Sequence, residues 1–167
     1  MSGNENEVAR QERIDQALHR LSAISFAGVR MKLADPKEGK NWDEVMLDWA
    51  EREYRRFLAL NFAYPERTIV PDKAVDEFWH QHILDTRAYA NDTIAVFGHF
   101  LHHFPYFGMR GPADEENLVS CYADTRNLYE VHFGHSTNEE TNPVTCGGGH
   151  CSSCSSKVLM YATRFGD

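Results

Sequence analysis

Apolar side chains recur every three or four residues along most of the chain up to about residue 133, a spacing typical of amphipathic helices. This pattern predicts five helices, at residues 7–33, 42–64, 73–90, 94–104 and 113–133. The alternation of a half-buried strand is confined to short pieces at residues 68–70 and 157–161. The sequence therefore predicts an all-α fold, a compact bundle of about five helices with an irregular C-terminal tail rich in Cys, Gly and Ser.

Polar caps and helix breakers set the predicted boundaries. Asn41 and Asp72 stand just before apolar runs and have side chains that cap helix N-termini. The stretch at residues 91–93, Asn-Asp-Thr, offers a break or a fresh cap between the third and fourth helices. Pro65 ends the second helix, whose mixture of charged and apolar positions predicts an amphipathic helix lying on the surface.

The length of 167 residues favours one helical domain at residues 1–135, followed by a Cys-containing tail at residues 136–167. Lys and Arg number 17 against 25 Asp and Glu. The net charge of −8 repels a phosphate backbone, so nucleic acid is not an expected partner. No stretch has the length and hydrophobicity of a signal peptide or a membrane span, and we expect a cytoplasmic protein without a membrane partner.

Nine histidines are the unusual feature of the composition, and two of them, His80 and His82, fall in the third predicted helix. At about 100° per residue, His82 shares the apolar face of Val75 and Trp79. His80 points instead to the rim of the helix, beside Asp76. A His-x-His pair shares a face on a strand but not on a regular helix, so the two histidines point different ways unless the helix starts or deforms here.

Three further histidines, His99, His102 and His103, stand at i, i+3 and i+4 of the fourth predicted helix and occupy one arc about 100° wide. Imidazoles one helical turn apart can reach the same ion, and His82 would complete an open metal site. Neutral imidazoles suit zinc first and iron or copper next. The alternative for each position is a histidine that is hydrogen-bonded within the core.

Such a centre predicts a small metalloenzyme with a coordination position left for water, or for a small-molecule or peptide substrate. His80 is then the first candidate for general acid or base, and Tyr89 and Tyr106 are candidate proton donors. The alternative is a non-enzymatic module, in which a metal rigidifies the bundle or the tail stores an ion. The sequence predicts neither a particular reaction nor an oligomeric state.

The tail contains Cys146, His150, Cys151 and Cys154, three soft ligands and one imidazole that would suit zinc or copper. Its glycines and serines provide no core for a zinc finger, so a flexible linker is an alternative. Redox chemistry is a third interpretation, because the spacing of Cys151 and Cys154 permits a disulfide. A metal-delivery arm or a substrate segment is a fourth.

The third predicted helix and the segment after it carry a resemblance to a known family. The string VDEFWHQHILDTRAYA is similar to the signature Trp-His-x-His-x-Leu-x-(Pro/Thr)-x-x-Tyr of the glycine-rich-domain-containing-protein-like family. The matching residues are Trp79, His80, His82, Leu84, Thr86 and Tyr89. The following string FGHFLHHFPYFGMRG looks like the bacterial branch of that family, and the resemblance covers about residues 40–110. It implies that both histidines of the signature matter, and it implies no particular reaction.

Overall fold

The computed structural model describes residues 2–134, and within this range the chain forms six α-helices and no strand. They are α1 (Ser2–Ser22), α2 (Ala27–Ala34), α3 (Glu44–Ala63), α4 (Lys73–Leu84), α5 (Thr86–Phe97) and α6 (Pro112–Phe133). The prediction of an all-α fold is confirmed, and the strand piece predicted at residues 68–70 is wrong. The predicted tail lies outside the described residues. None of the described helices is long and apolar enough to cross a membrane.

The single helix predicted at residues 7–33 is two helices, α1 and α2, separated by residues 23–26. Arg55 of α3 stabilises this break, because its guanidinium donates hydrogen bonds to the backbone carbonyls of Leu21 and Ile24. Carbonyls at the end of a helix have no partner within the helix, so a side-chain donor satisfies them. The same guanidinium lies 4.6 Å from the centre of the Phe26 ring, which is buried just after the break.

The α3 helix is a core helix, in contrast to the surface helix that its amphipathic pattern predicts. More than half of its 20 residues are buried, including the fully buried aromatic residues Tyr54 and Phe57. The α1 helix packs along α3. Arg13 of α1 reaches the last turn of α3, where it donates a hydrogen bond of 2.7 Å to the carbonyl of Phe62.

Two aspartate caps set helix starts at positions that differ from those predicted. The carboxylate of Asp43, rather than Asn41, accepts a hydrogen bond of 2.9 Å from a backbone N–H in the first turn of α3. Asp85 likewise accepts a hydrogen bond of 3.2 Å from the backbone N–H of Ala88 and caps α5. The break that was predicted at residues 91–93 therefore falls at Asp85.

The α5 helix ends at Gly98, which adopts the left-handed backbone conformation with a φ of 79°. Its N–H donates a hydrogen bond of 2.8 Å to the carbonyl of Ile94. Glycine takes this conformation without steric cost, and it is a common helix stop. Residues 98–104 are not helical, so the helix predicted at residues 94–104 is wrong beyond Phe97.

The described chain divides into two compact units. Unit 1 comprises residues 2–68 and 74–101, and unit 2 comprises residues 69–73 and 102–134. Unit 1 has a core rich in aromatic side chains, which includes Phe26, Tyr54, Phe57, Phe78, Trp79 and Tyr89. Because two of these residues belong to α4, this helix is anchored in the core of unit 1.

Unit 2 is built on α6, whose bounds agree with the helix predicted at residues 113–133. Pro112 occupies its first turn and Gly134, with a φ of 77°, ends it. Asp114 holds the preceding loop by accepting a hydrogen bond of 2.7 Å from the backbone N–H of Gly108. Proline and glycine at the two ends explain why the sequence predicts this helix well.

Candidate metal centre and the buried histidine

The two histidines of α4 lie in different environments. The side chain of His82 is only 2% exposed, whereas that of His80 is 39% exposed. This difference confirms the prediction that the two imidazoles point different ways on a regular helix. His82 therefore belongs to the core of unit 1, and His80 is the one that solvent can reach.

Both ring nitrogens of His82 have hydrogen-bond partners in unit 1. Its Nδ1 lies 2.9 Å from the hydroxyl of Tyr54, and its Nε2 lies 3.1 Å from Oδ2 of Asp92. A carboxylate only accepts hydrogen bonds, so Nε2 carries the proton that it donates to Asp92. Nδ1 then accepts the hydrogen bond that Tyr54 donates, and the imidazole is satisfied on both sides.

Burial favours the neutral forms of His82 and Tyr54. Burial lowers the pKa of His82, although the hydrogen bond and charge of Asp92 and the charge of Asp85 act in the opposite direction. Burial raises the pKa of Tyr54 well above its usual value, so its hydroxyl remains protonated and can donate. The ring of Phe26 meets the imidazole edge to face, with centroids 5.1 Å apart.

A second hydrogen-bonded chain links α4 to α5 and to the segment that follows it. The indole Nε1–H of Trp79 donates to the hydroxyl of Tyr89 at 3.0 Å, and that hydroxyl donates to the carbonyl of Leu101 at 2.6 Å. Burial raises the pKa of Tyr89 to about 12. Tyr89 was predicted as a proton donor, but that role would require its hydroxyl to give up the hydrogen bond to the Leu101 carbonyl. Its geometry suits a structural link.

On another side of α4, Asp76 and His80 stand one helical turn apart. Oδ2 of Asp76 lies 3.5 Å from Nδ1 of His80, and these atoms belong to side chains that could serve as metal ligands. The Asp76 side chain is 10% exposed, so this carboxylate is mostly shielded from water. We call this pair the Asp76–His80 edge.

The three histidines after α5 do not share a helical face. His99, His102 and His103 lie in the non-helical stretch at residues 98–104, so the helical arc that predicts a joint site for them is absent. His99 and His102 are exposed, and His103 is half-buried. Their roles as ligands stay predictions, because only the helical premise is contradicted. The role of Tyr106 as a proton donor also stays a prediction, and this residue is exposed in unit 2.

Three residues of these networks have no role predicted from the sequence. Asp76 had a usable signal, since it stands four residues before His80 and so shares its side of the helix. Tyr54 and Asp92 had none, because 28 and 10 residues separate them from His82 and only the tertiary fold brings them together. The predicted tail ligands Cys146, His150, Cys151 and Cys154 lie outside the described residues.

Comparison with known proteins identifies a family for most of the folded chain. The sequence profile of the UCP032817-like family matches residues 13–125, which is more than half of the 167 residues. No curated protein and no solved structure matches the chain. The resemblance to the glycine-rich-domain-containing-protein-like family stays a prediction. The matched residues include all of α2, α3, α4 and α5, and the chain belongs to the UCP032817-like family.

Proposed function

We propose that this chain binds a divalent transition metal ion, zinc first, through the Asp76–His80 edge of α4. The observation that carries the proposal is the distance of 3.5 Å between Oδ2 of Asp76 and Nδ1 of His80. A direct charge-assisted hydrogen bond between these groups would be shorter, at about 2.7–2.9 Å. The separation is longer than that and is compatible with two ligands of one ion.

The geometry of metal coordination makes this comparison quantitative. Zinc binds imidazole nitrogen and carboxylate oxygen at about 2.1 Å with tetrahedral angles, which places two ligand atoms about 3.4 Å apart. Octahedral or square-planar angles at the same bond length place them about 3.0 Å apart. The observed distance is compatible with two ligands of one ion, and imidazole and carboxylate are ligand types that zinc commonly takes.

Exposure and charge also support the proposal. The imidazole of His80 is accessible, so an ion can enter from solvent. The carboxylate of Asp76 is mostly shielded from water, and it therefore attracts a cation more strongly than a fully hydrated carboxylate would. This ligand set replaces the one that begins with His82, whose two ring nitrogens already have partners. His103 remains a predicted ligand and enters the test on its own.

Two side chains leave coordination positions that water can occupy, and zinc-bound water ionises near neutral pH. A metalloenzyme that acts on a small molecule or a peptide is the functional class that we propose for such a centre. The alternative is an ion that only stabilises the bundle. Chelation separates the two, because removal of a structural ion unfolds the protein whereas removal of a catalytic ion need not.

The test uses the full chain with Cys146, Cys151 and Cys154 replaced by Ser, so that tail thiols do not bind the ion. Calorimetric zinc titration should give one site. Asp76→Asn and His80→Ala should each weaken the Kd by at least about 10-fold, since even residues that only orient ligands contribute that much. Cobalt bound in place of zinc should give the strong visible absorption of a tetrahedral site.

A matched control exists on α1, where Asp15 and His19 have the same spacing on an exposed helix surface. The double variant Asp15→Asn, His19→Ala should bind zinc as the parent does. Equal Kd values for the parent, Asp76→Asn and His80→Ala would overturn the proposal. His103→Ala measures separately whether that residue belongs to the ligand set.

A further inference from the structure

His82 and His80 belong to the same helix, but the hydrogen-bond partners of His82 lie on other helices. The imidazole of His82 contacts Tyr54 of α3 and Asp92 of α5, whereas the imidazole of His80 lies beside Asp76 on α4 itself. We infer that His82 is a positioning residue for the Asp76–His80 edge and not a metal ligand. This inference rests on the proposed metal-binding function.

Hydrogen bonding excludes His82 from the ligand set. A neutral imidazole has one N–H and one nitrogen lone pair, and a metal ion needs the lone pair. The N–H at Nε2 is donated to Oδ2 of Asp92 at 3.1 Å. The lone pair at Nδ1 accepts the Tyr54 hydrogen bond of 2.9 Å, and Tyr54 is fully buried, so water cannot replace it as donor.

The same two bonds fix the rotation of α4 about its own axis. They attach the imidazole to α3 on one side and to α5 on the other, at a position about 160° around the helix from His80. A tetrahedral ion takes four ligands, and α4 supplies two of them. The separation of these two ligands is set within α4 itself, and the rotation of α4 sets which way they face and therefore which groups outside the helix, water included, complete the coordination.

Nitrogen-15 NMR of the full chain measures whether the imidazole of His82 coordinates the ion. Before zinc is added, the His82 nitrogens should have the shifts of the tautomer protonated at Nε2. Addition of zinc should move the shifts of His80 to those of a coordinated imidazole and leave the tautomer of His82 unchanged. A coordination shift at either nitrogen of His82 would make it a ligand and overturn the inference.

Variants test whether the positioning matters for binding. In the chain with a Cys-free tail, Tyr54→Phe and Asp92→Ala should each weaken the zinc Kd by about 10-fold, the lower end of what residues around a metal site contribute. Stoichiometry should not change, because Asp76 and His80 are intact. Asp92→Asn, which keeps an acceptor oxygen, should restore most of the affinity, and Asp15→Asn on α1 should have no effect.

Different outcomes separate this inference from the proposed function. If Asp76→Asn and His80→Ala leave the Kd unchanged, metal binding at this edge is wrong. If those two variants weaken binding while Tyr54→Phe and Asp92→Ala match the parent, metal binding stands and the positioning role of His82 is wrong. If Tyr54→Phe fails to fold, the affinities of Asp92→Ala and Asp92→Asn and the NMR shifts of the parent decide the question.

Discussion

The inward face of α4 and its Asp76–His80 edge differ in how their polar atoms are used. On the inward face, Trp79 and His82 direct every ring N–H and ring lone pair to a partner within unit 1. On the edge, the nearest oxygen and nitrogen of the pair stand 3.5 Å apart, close to the separation of two ligands on one ion. One helix therefore carries a face whose polar atoms are satisfied within the core and an edge at which we propose binding, and substitutions should separate the two properties.

The largest expected effect is on the inward face at Phe78, which is fully buried and packs against Tyr54 at a centroid distance of 5.2 Å. Phe78→Ala removes a ring from a packed core and should lower the free energy of unfolding by about 3–5 kcal/mol. Denaturant unfolding in the presence of a chelator measures it. His80→Ala, on the edge, should cost under about 1 kcal/mol in the same assay. Equal losses for the two variants would remove the distinction between face and edge.

A smaller effect is expected from the buried hydroxyl of Tyr54. Tyr54→Phe keeps the ring but leaves Nδ1 of His82 without its donor, and an unsatisfied buried acceptor costs about 1–3 kcal/mol. Denaturant unfolding gives the difference from the parent. Tyr106→Phe is the control, because Tyr106 is exposed and its variant should stay within about 0.5 kcal/mol. If Tyr54→Phe has the same free energy of unfolding as the parent, this hydrogen bond does not stabilise the position of α4.

The smallest effect concerns pH. Burial lowers the pKa of His82 in the folded chain below its ordinary value of 6.5, so the unfolded chain takes up a proton at higher pH than the folded chain does. Stability should therefore fall as the pH drops below about 6.5, with a slope of at most about 1.4 kcal/mol per pH unit from this residue.

Chelator-treated protein and a His82→Gln variant measure this contribution, because the variant should lose that part of the slope. An NMR titration of His82 in the parent provides a second reading, with an expected midpoint below 6.5. A midpoint above that value would show that the charge of Asp92 outweighs the burial of the imidazole.

Local chemistry explains the parts of the fold that the sequence predicts correctly. The bounds of α6 follow from Pro112 and Gly134, whose backbone preferences act within a few residues. The opposite directions of His80 and His82 follow from helical periodicity alone. Both predictions depend on near neighbours in the chain, and both are confirmed.

The errors arise where tertiary contacts or competing stop signals decide the outcome. The spacing of His99, His102 and His103 imitates a helical face, but Gly98 ends α5 just before them. The pattern of α3 predicts a surface helix because its charged residues are numerous, although most of its uncharged residues are buried in the folded chain. Pairing of His82 with Tyr54 joins residues 28 positions apart, which no local pattern can predict.

The Tyr89 hydroxyl joins two parts of unit 1 through a single atom. It accepts the indole N–H of Trp79 and donates to the carbonyl of Leu101, so one oxygen completes two bonds in the interior. Loss of this hydroxyl would remove the acceptor of the indole N–H and the donor to the carbonyl together, whereas loss of the indole would leave the bond to Leu101 in place. A Tyr89→Phe substitution would therefore act at two places at once, on the indole in α4 and on the backbone that follows α5.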